Sequence, residues 1–358
     1  MTRSAQPAHG IAGQEQLGLF RGSSGGGSRR LPVIAEQTDI TYHSAPARSI
    51  LNGPETTGMG FWSINPYIGC AFGCTYCYAR YTHRYAMERA TAHGDVDGAL
   101  ASDIAGMPPW LAFERHIVVK TNAAESLRKT LRSGSNRYRA LMEGDSVVIG
   151  TATDPYQPAE RKFRITRGIL ETLAQFPGMD ICVITKSPLI TRDVDLLSRI
   201  AERSEVSVHI SLITLDRALA RRIEPRAPTP DSRLRAIKRL REAGIDASIN
   251  CMPVLPGITD DPAALEALVR SAAEAGATNV SACALRLRDS ARQRYLPFIE
   301  QEFPHLAARY NRAYSRGYNV STRYREGLEQ FFEAARRKYG VGSRQSGVGS
   351  REPETPNP

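Results

Sequence analysis

Short β-branched apolar runs alternate along this chain with segments whose apolar residues recur at helical spacing. The runs are His116–Lys120, Val147–Gly150, Ile181–Thr185, Val206–Ile210, Ala247–Asn250 and Asn279–Ala282. Each suits a strand buried on both faces. Between them, Ser232–Ala243 carries Leu234, Ile237 and Leu240 before Gly244, and Pro262–Ala275 carries Leu265, Leu268 and Val269 before Gly276. Thr166–Gln175 and Asp193–Ala201 repeat the scheme. These segments predict amphipathic helices with glycine stops. Alternation in units of about 30 residues predicts a parallel sheet with crossover helices. Six or seven such units favour an α/β barrel, complete or partial, over a doubly wound sheet. In such barrels the chemistry sits on loops at the C-terminal ends of strands.

The flanks break the pattern. Gly22–Arg30 is rich in Gly and Ser, and Gly-Val-Gly-Ser-Arg occurs at 340–344 and again at 347–351 before a Pro-rich end. Segments that bury little surface do not offset their ordering entropy. This predicts a disordered arm over 1–40 and a disordered tail over 340–358, around a barrel domain with its extensions over 41–325 and a C-terminal helix over 326–339. A chain of 358 residues that is 41% hydrophobic and 23% charged is not disordered throughout. Its formal net charge of +10 favours a polyanion, a nucleotide or an anionic cofactor as partner. No uncharged apolar run approaches the roughly 18 residues of a membrane span, and Met1–Gly10 has no apolar stretch of the secretory kind. The expectation is a cytoplasmic protein whose six cysteines are reduced thiols or metal ligands.

Three of those cysteines are packed together as Gly69-Cys70-Ala71-Phe72-Gly73-Cys74-Thr75-Tyr76-Cys77, a C-x3-C-x2-C spacing just after Ile64–Ile68, a first strand or its end. Gly69 and Gly73 allow a tight loop to turn its sulfurs toward one point. Clustered soft thiolates select zinc or an iron–sulfur cluster. Structural zinc needs a fourth ligand, which would have to be His83 or a distant cysteine. Three thiolates suit a four-iron cluster with one iron open to an outside ligand. Cys182, Cys251 and Cys283 fall in or at the end of apolar strands, as buried inert thiols do.

The motif with its aromatic Tyr76, on the loop after a barrel's first strand, resembles the radical S-adenosyl-L-methionine (SAM) superfamily. Ser63–Tyr67, Thr153–Glu160, Ile184–Ser187 and Glu224–Ala227 further resemble its spore photoproduct lyase-like branch, in the bacterial group labelled DNA-repair-photolyase-like. The resemblance covers about 60–300. It implies a partial (β/α)6-type TIM barrel and a 4Fe-4S cluster on Cys70, Cys74 and Cys77, whose open iron chelates SAM. One electron then cleaves the C5′–S bond, and the 5′-deoxyadenosyl radical abstracts hydrogen from a substrate. It also implies an electron donor of flavodoxin or ferredoxin type.

The same resemblance sets Tyr76 beside the adenine, Lys186 against the SAM carboxylate and Ser211 on the ribose. Asn122, after the strand His116–Lys120, is a candidate for the SAM amino group or a turn asparagine. Asp154 and Glu160 bracket a Pro-Tyr-Gln-Pro loop, as cofactor contacts or as supports of a turn and a helix N-terminus. Glu224 reads as an ion-pair partner and Asp231 as a helix N-cap. Tyr78, Tyr81, His83 and Tyr85 alternate with Arg80 and Arg84, as a nucleic-acid platform or as a solvated helix face. The lyase returns a hydrogen atom to its product from a cysteine; the matching segment Gly150–Asp154 has none, and Thr151 stands nearest. A threonine O–H bond is too strong for that task, so thymine-dimer repair does not carry over. Cys251 is the other candidate donor at a rim. Two readings without SAM chemistry compete: a nucleic-acid-binding protein with a structural zinc or iron–sulfur site, and an iron–sulfur electron-transfer or redox-sensing protein.

Overall fold

The computed structural model describes residues 33–37, 39–57, 59–82, 106–132 and 138–342. A seven-stranded sheet forms the frame. Its order is β11-β10-β9-β8-β7-β4-β3, with β3 Leu51–Asn52, β4 Trp62–Ile64, β7 Ser146–Ile149, β8 Asp180–Thr185, β9 Glu205–Ser211, β10 Asp246–Val254 and β11 Val280–Ala284. The strands from β4 to β11 pair in parallel, and only the short edge strand β3 runs antiparallel. Six parallel strands joined by helices make the expected partial barrel.

The expected helices form, with the crossover segments Ile165–Leu173, Val194–Ala201, Pro230–Glu242 and Pro262–Glu274. Their apolar faces meet alternate residues of each strand: Val147 and Ile149, Ile181 and Val183, Val208 and Ile210, Ala247 and Ile249. Each such side chain contributes about 1.5–3 kcal/mol on full burial. Strand side chains alternate between faces. The remaining residues of the later strands therefore line the inner face: Ser207, His209 and Ser211, then Ser248 and Asn250, then Ser281 and Cys283. Register aligns Ser211, Asn250 and Ser281 in one row across β9, β10 and β11.

His116–Lys120 is a strand, but not of the barrel. As β6 it belongs to a second sheet of order β1-β2-β6-β5, with β1 Val33–Gln37, β2 Ile40–Ala45 and β5 Tyr67–Ile68. Pro66 turns the chain out of β4, and β5 then pairs antiparallel with β6 through Tyr67↔Val119 and Ile68↔Val118. Residues 33–37, within the expected arm over 1–40, form β1; residues 1–32 and 343–358 lie outside the described residues. The last helix spans Thr322–Tyr339 and packs Phe332 into the barrel core. Among the described residues, no helix is long and apolar enough to cross a membrane.

Candidate radical-chemistry site

The cysteine loop hangs between the two sheets and is gripped from both. Cys70 N donates to Phe113 O at 2.9 Å and Thr75 N to Ile223 O at 3.0 Å. The Gln157 side chain accepts from Ala71 N at 2.9 Å and donates to Gly69 O and to Thr153 Oγ1. Thr153 itself donates to Gly69 O at 2.6 Å. Arg226 N reaches Phe72 O, and the Arg80 guanidinium donates to Cys74 O. Gly69 and Gly73 have φ of +84° and +65°. A Cβ at Gly69 would meet Phe113 O at 2.8 Å, and one at Gly73 would meet Arg226 and Glu114 at 3.0 Å. Only glycine satisfies both the backbone and the space.

Cys70 and Cys74 are buried and Cys77 half-buried. Burial first, and then the neighbouring charges of Asp154 and Cys77, pushes the Cys70 thiol up to about 12. Burial likewise raises Cys74 well above the ordinary thiol range, with Lys186 opposing and Glu224 adding. The three sulfurs thus stand within electrostatic reach of one another, in a dry setting where thiolates form only against a strong soft cation. Among the described residues, no three His, Cys, Asp or Glu side chains converge as ligands of a single metal ion. A cubane gives each thiolate its own iron, and three buried or half-buried thiols on one loop match the donor number of a four-iron cluster with one open iron.

A buried charged group adjoins Cys74. Lys186, one residue past β8, has its Nζ 3.8 Å from Glu224 Oε1 and 5.6 Å from the Tyr76 ring centroid. Glu224 also accepts from the Tyr76 hydroxyl and from Arg233, with which it forms a fully buried ion pair at 2.5 Å. Arg233 continues to Ser211 O at 2.9 Å. Cys74, Tyr76, Lys186 and Ser211 are therefore brought together, and the expected ion pair of Glu224 is what joins them. Burial works against the charge on Lys186, but Cys74 and Glu224 outweigh it and its pKa is raised.

Asp154, Glu160 and Asn122 each have partners within the fold, and Asp154 also stands near Cys70 and Lys186. Asp154 accepts from Thr185 Oγ1 at 2.6 Å, Tyr156 N at 2.9 Å and Lys186 N at 2.7 Å, so it fixes the backbone beside Lys186. Glu160 accepts from Tyr67 Oη, from Thr166 N and from Arg192, supporting a helix N-terminus. Asn122 spends both amide atoms on Ala47, N to Oδ1 and Nδ2 to O, beside the second sheet. The structure does not bring it to the cysteine loop. Asp231 is no N-cap: Thr229 holds that position, and Asp231 pairs with exposed Arg217.

The thiols beyond the loop also change places. β10 runs on to Val254, so Cys251 lies mid-strand, fully buried against the helix layer. Cys283 alternates onto the inner face near the end of β11, half-buried and close enough to Tyr78 for their charges to interact. Tyr78 is 52% exposed and donates to Thr151 O, while the Thr151 hydroxyl is taken by Asn65. Arg80 is fully buried, which removes it from any solvent-facing platform; His83, Arg84 and Tyr85 lie outside the described residues. Sequence reasoning missed Gln157 and Thr153 as clamps of the cysteine loop, and Asn65 as the partner of Thr151 and Ala152. The signal for the first two was the polar content of the 153–160 segment, which a bare turn does not need.

Comparison with known proteins agrees with this geometry. An uncharacterised protein of Mycobacterium tuberculosis is 35% identical over 323 residues, covering 89% of this chain and 84% of the relative. Another, of Methanocaldococcus jannaschii, is 26% identical over 200 residues, covering 55% of this chain and 61% of the relative. The solved structure of spore photoproduct lyase complexed with dinucleoside spore photoproduct superposes with a TM-score of 0.57 at 15% identity, over 87% of this chain and 84% of that one. At that identity the likeness concerns the fold. The sequence profile of the radical SAM superfamily matches residues 64–268, from the end of the first barrel strand into the helix before β11. With more than half its length so matched, and with its three-cysteine loop at the rim of a six-stranded parallel half-barrel, the chain belongs to the radical SAM superfamily.

Proposed function

We propose that Cys70, Cys74 and Cys77 hold the 4Fe-4S cluster of this radical SAM enzyme, with Tyr76, Lys186 and Ser211 bordering its SAM. Cluster and SAM together supply reductive C5′–S cleavage and a carbon radical that abstracts hydrogen from substrate. The observation that carries the assignment is the joining of Cys74, Tyr76, Lys186 and Ser211 through Glu224 and Arg233 at one end of the barrel strands. Lys186 offers a cation to a carboxylate, and Asp154 holds its backbone in position. Glu224 keeps Arg233 and the Tyr76 hydroxyl satisfied, so that the wall beneath the SAM stays dry. The row Ser211, Asn250 and Ser281, with His209 bonded to Asn250 at 3.2 Å, gives the substrate neutral hydrogen-bonding groups on the inner face. Burial lowers the pKa of His209, which supports a neutral imidazole there. A flavodoxin- or ferredoxin-type protein would deliver the electron.

The test is anaerobic reconstitution of cysteine variants. Cys70→Ala, Cys74→Ala and Cys77→Ala should each lose the cluster absorbance and SAM cleavage together, while Cys182→Ala keeps both. Retention in Cys74→Ala with loss in Cys182→Ala would sink the assignment.

A further inference from the structure

Three guanidinium groups crowd one carboxylate beside the cysteine loop. Glu114 Oε1 lies 2.7 Å from Arg80 Nη1 and 3.9 Å from Arg294 Nε, and its Oε2 lies 3.2 Å from Arg226 Nη2. Arg226 also reaches Asp39 at 2.7 Å. Among the described residues, these three cations face two carboxylates. Arg80 is fully buried, with Nη1 donating to Trp110 O at 2.7 Å and Nη2 to the carbonyl of Cys74. Arg294 lies over the Trp110 ring at 4.7 Å, and burial lowers its pKa. The Nε–H groups of Arg80, Arg226 and Arg294 find no hydrogen-bond acceptor among the described residues. Surplus positive charge held out of water is costly. Pairing Glu114 needs one arginine, not three.

We propose that Arg80 and Arg294 are positioning residues whose surplus positive charge, set against Glu114, raises the reduction potential of the iron–sulfur cluster on the cysteine loop. The inference rests on the reading of Cys70, Cys74 and Cys77 as its ligands. A cubane on three thiolates is an anion, and it becomes more negative when one electron enters from an outside reductant without a proton. A fixed, poorly screened cation behind the Cys74 backbone therefore favours the reduced form. The sign is the signature. Removing a cation lowers the potential, and removing the charge of Glu114 raises it. A role in packing alone gives no such opposition.

The experiment is a redox titration with dithionite of the iron-reconstituted full chain, read by electron paramagnetic resonance. Iron content and thermal unfolding of the unloaded chain are measured alongside. At a fixed potential, Arg80→Gln should lower the ratio of reduced to oxidised cluster about tenfold, equivalent to about 59 mV for one electron. Arg294→Gln should lower it less, Glu114→Gln should raise it, and Arg80→Lys should stay nearer the parent protein. Arg294→Gln leaves the Cys74 carbonyl contact intact, so it and Glu114→Gln carry the test if Arg80→Gln does not fold. Shifts of one sign in those two variants, or no shift, overturn the proposal. So does loss of iron from all three glutamine variants. A parent chain that binds no iron–sulfur cluster overturns the cysteine reading instead.

Discussion

The Tyr76 hydroxyl donates to Glu224 across 148 residues of sequence, which ties the cysteine loop to the turn before the helix Pro230–Glu242. Burial would raise the Glu224 carboxyl, but Arg233 and Lys186 overcome it and the pKa is lowered. Glu224 is therefore charged at neutral pH. Replacing it by Gln strands Arg233 in the interior, and breaking such a pair costs about 3–5 kcal/mol. Tyr76→Phe removes one hydrogen bond to a charged group, worth about 1.5–3 kcal/mol. Urea unfolding should rank Glu224→Gln as the more destabilised. The reverse order would mean that the ion pair is not what holds this junction.

Lys186→Ala should leave iron content unchanged and weaken SAM binding. One charge-assisted hydrogen bond is worth about 1.5–3 kcal/mol, or about 10- to 150-fold in affinity. Isothermal calorimetry on the reconstituted protein reads this directly. Unchanged affinity would remove Lys186 from the SAM pocket.

Nucleic acid is the substrate class that the net charge and the exposed Tyr78 ring bring forward. Binding to a form trimmed to residues 33–342 should weaken steeply with salt, because phosphate contacts release counterions. Tyr78→Ala should reduce affinity for single strands by about 1–3 kcal/mol per lost stack. Arg80→Gln should leave the salt slope unchanged, since its guanidinium does not face solvent. Absence of binding at low salt would turn attention to small molecules or protein side chains.

Lys120, at the end of β6, is buried with its Nζ on Asn65 O at 2.7 Å, and burial lowers its pKa to about 7. Its ordinary value is 10.5. Between the two values the unfolded chain binds a proton that the folded chain does not, so stability rises with pH across that window. Lys120→Met abolishes this contribution. Its stability relative to the parent should be greatest at about pH 7 and below, by up to about 5 kcal/mol before the lost hydrogen bond is counted. The advantage should shrink as pH approaches 10. Parallel denaturation curves at all pH values would show that the lysine is charged in the fold.

The half-barrel was legible because its signal is periodic: apolar runs like Ile181–Thr185 and faces like Leu234, Ile237 and Leu240 report local geometry. The three cysteines were legible by spacing and glycine content. The sheet to which His116–Lys120 belongs was not, since an apolar β-branched run suits any doubly buried strand and β2 and β5 decide the partner. Cys251 is the buried thiol expected, but its reading as a rim donor and the half-buried, inner-face place of Cys283 were misjudged for a related reason. A strand's side chains change face at every residue, and the extension of β10 to Val254 moved the rim past Cys251. Glu224 was readable as an ion-pair partner, though not Arg233 as its cation. Their junction with Tyr76 and Lys186 is a tertiary fact that no local pattern encodes.

The grip on the cysteine loop bears on how the working protein is assembled. Every clamp on Gly69–Thr75 comes from the chain itself: Phe113, Gln157, Thr153, Ile223, Arg226 and Arg80. Those partners are spread from residue 80 to residue 226, so the loop takes its shape only once the segments that carry them have packed, and a peptide of the cysteine segment alone lacks every one of them.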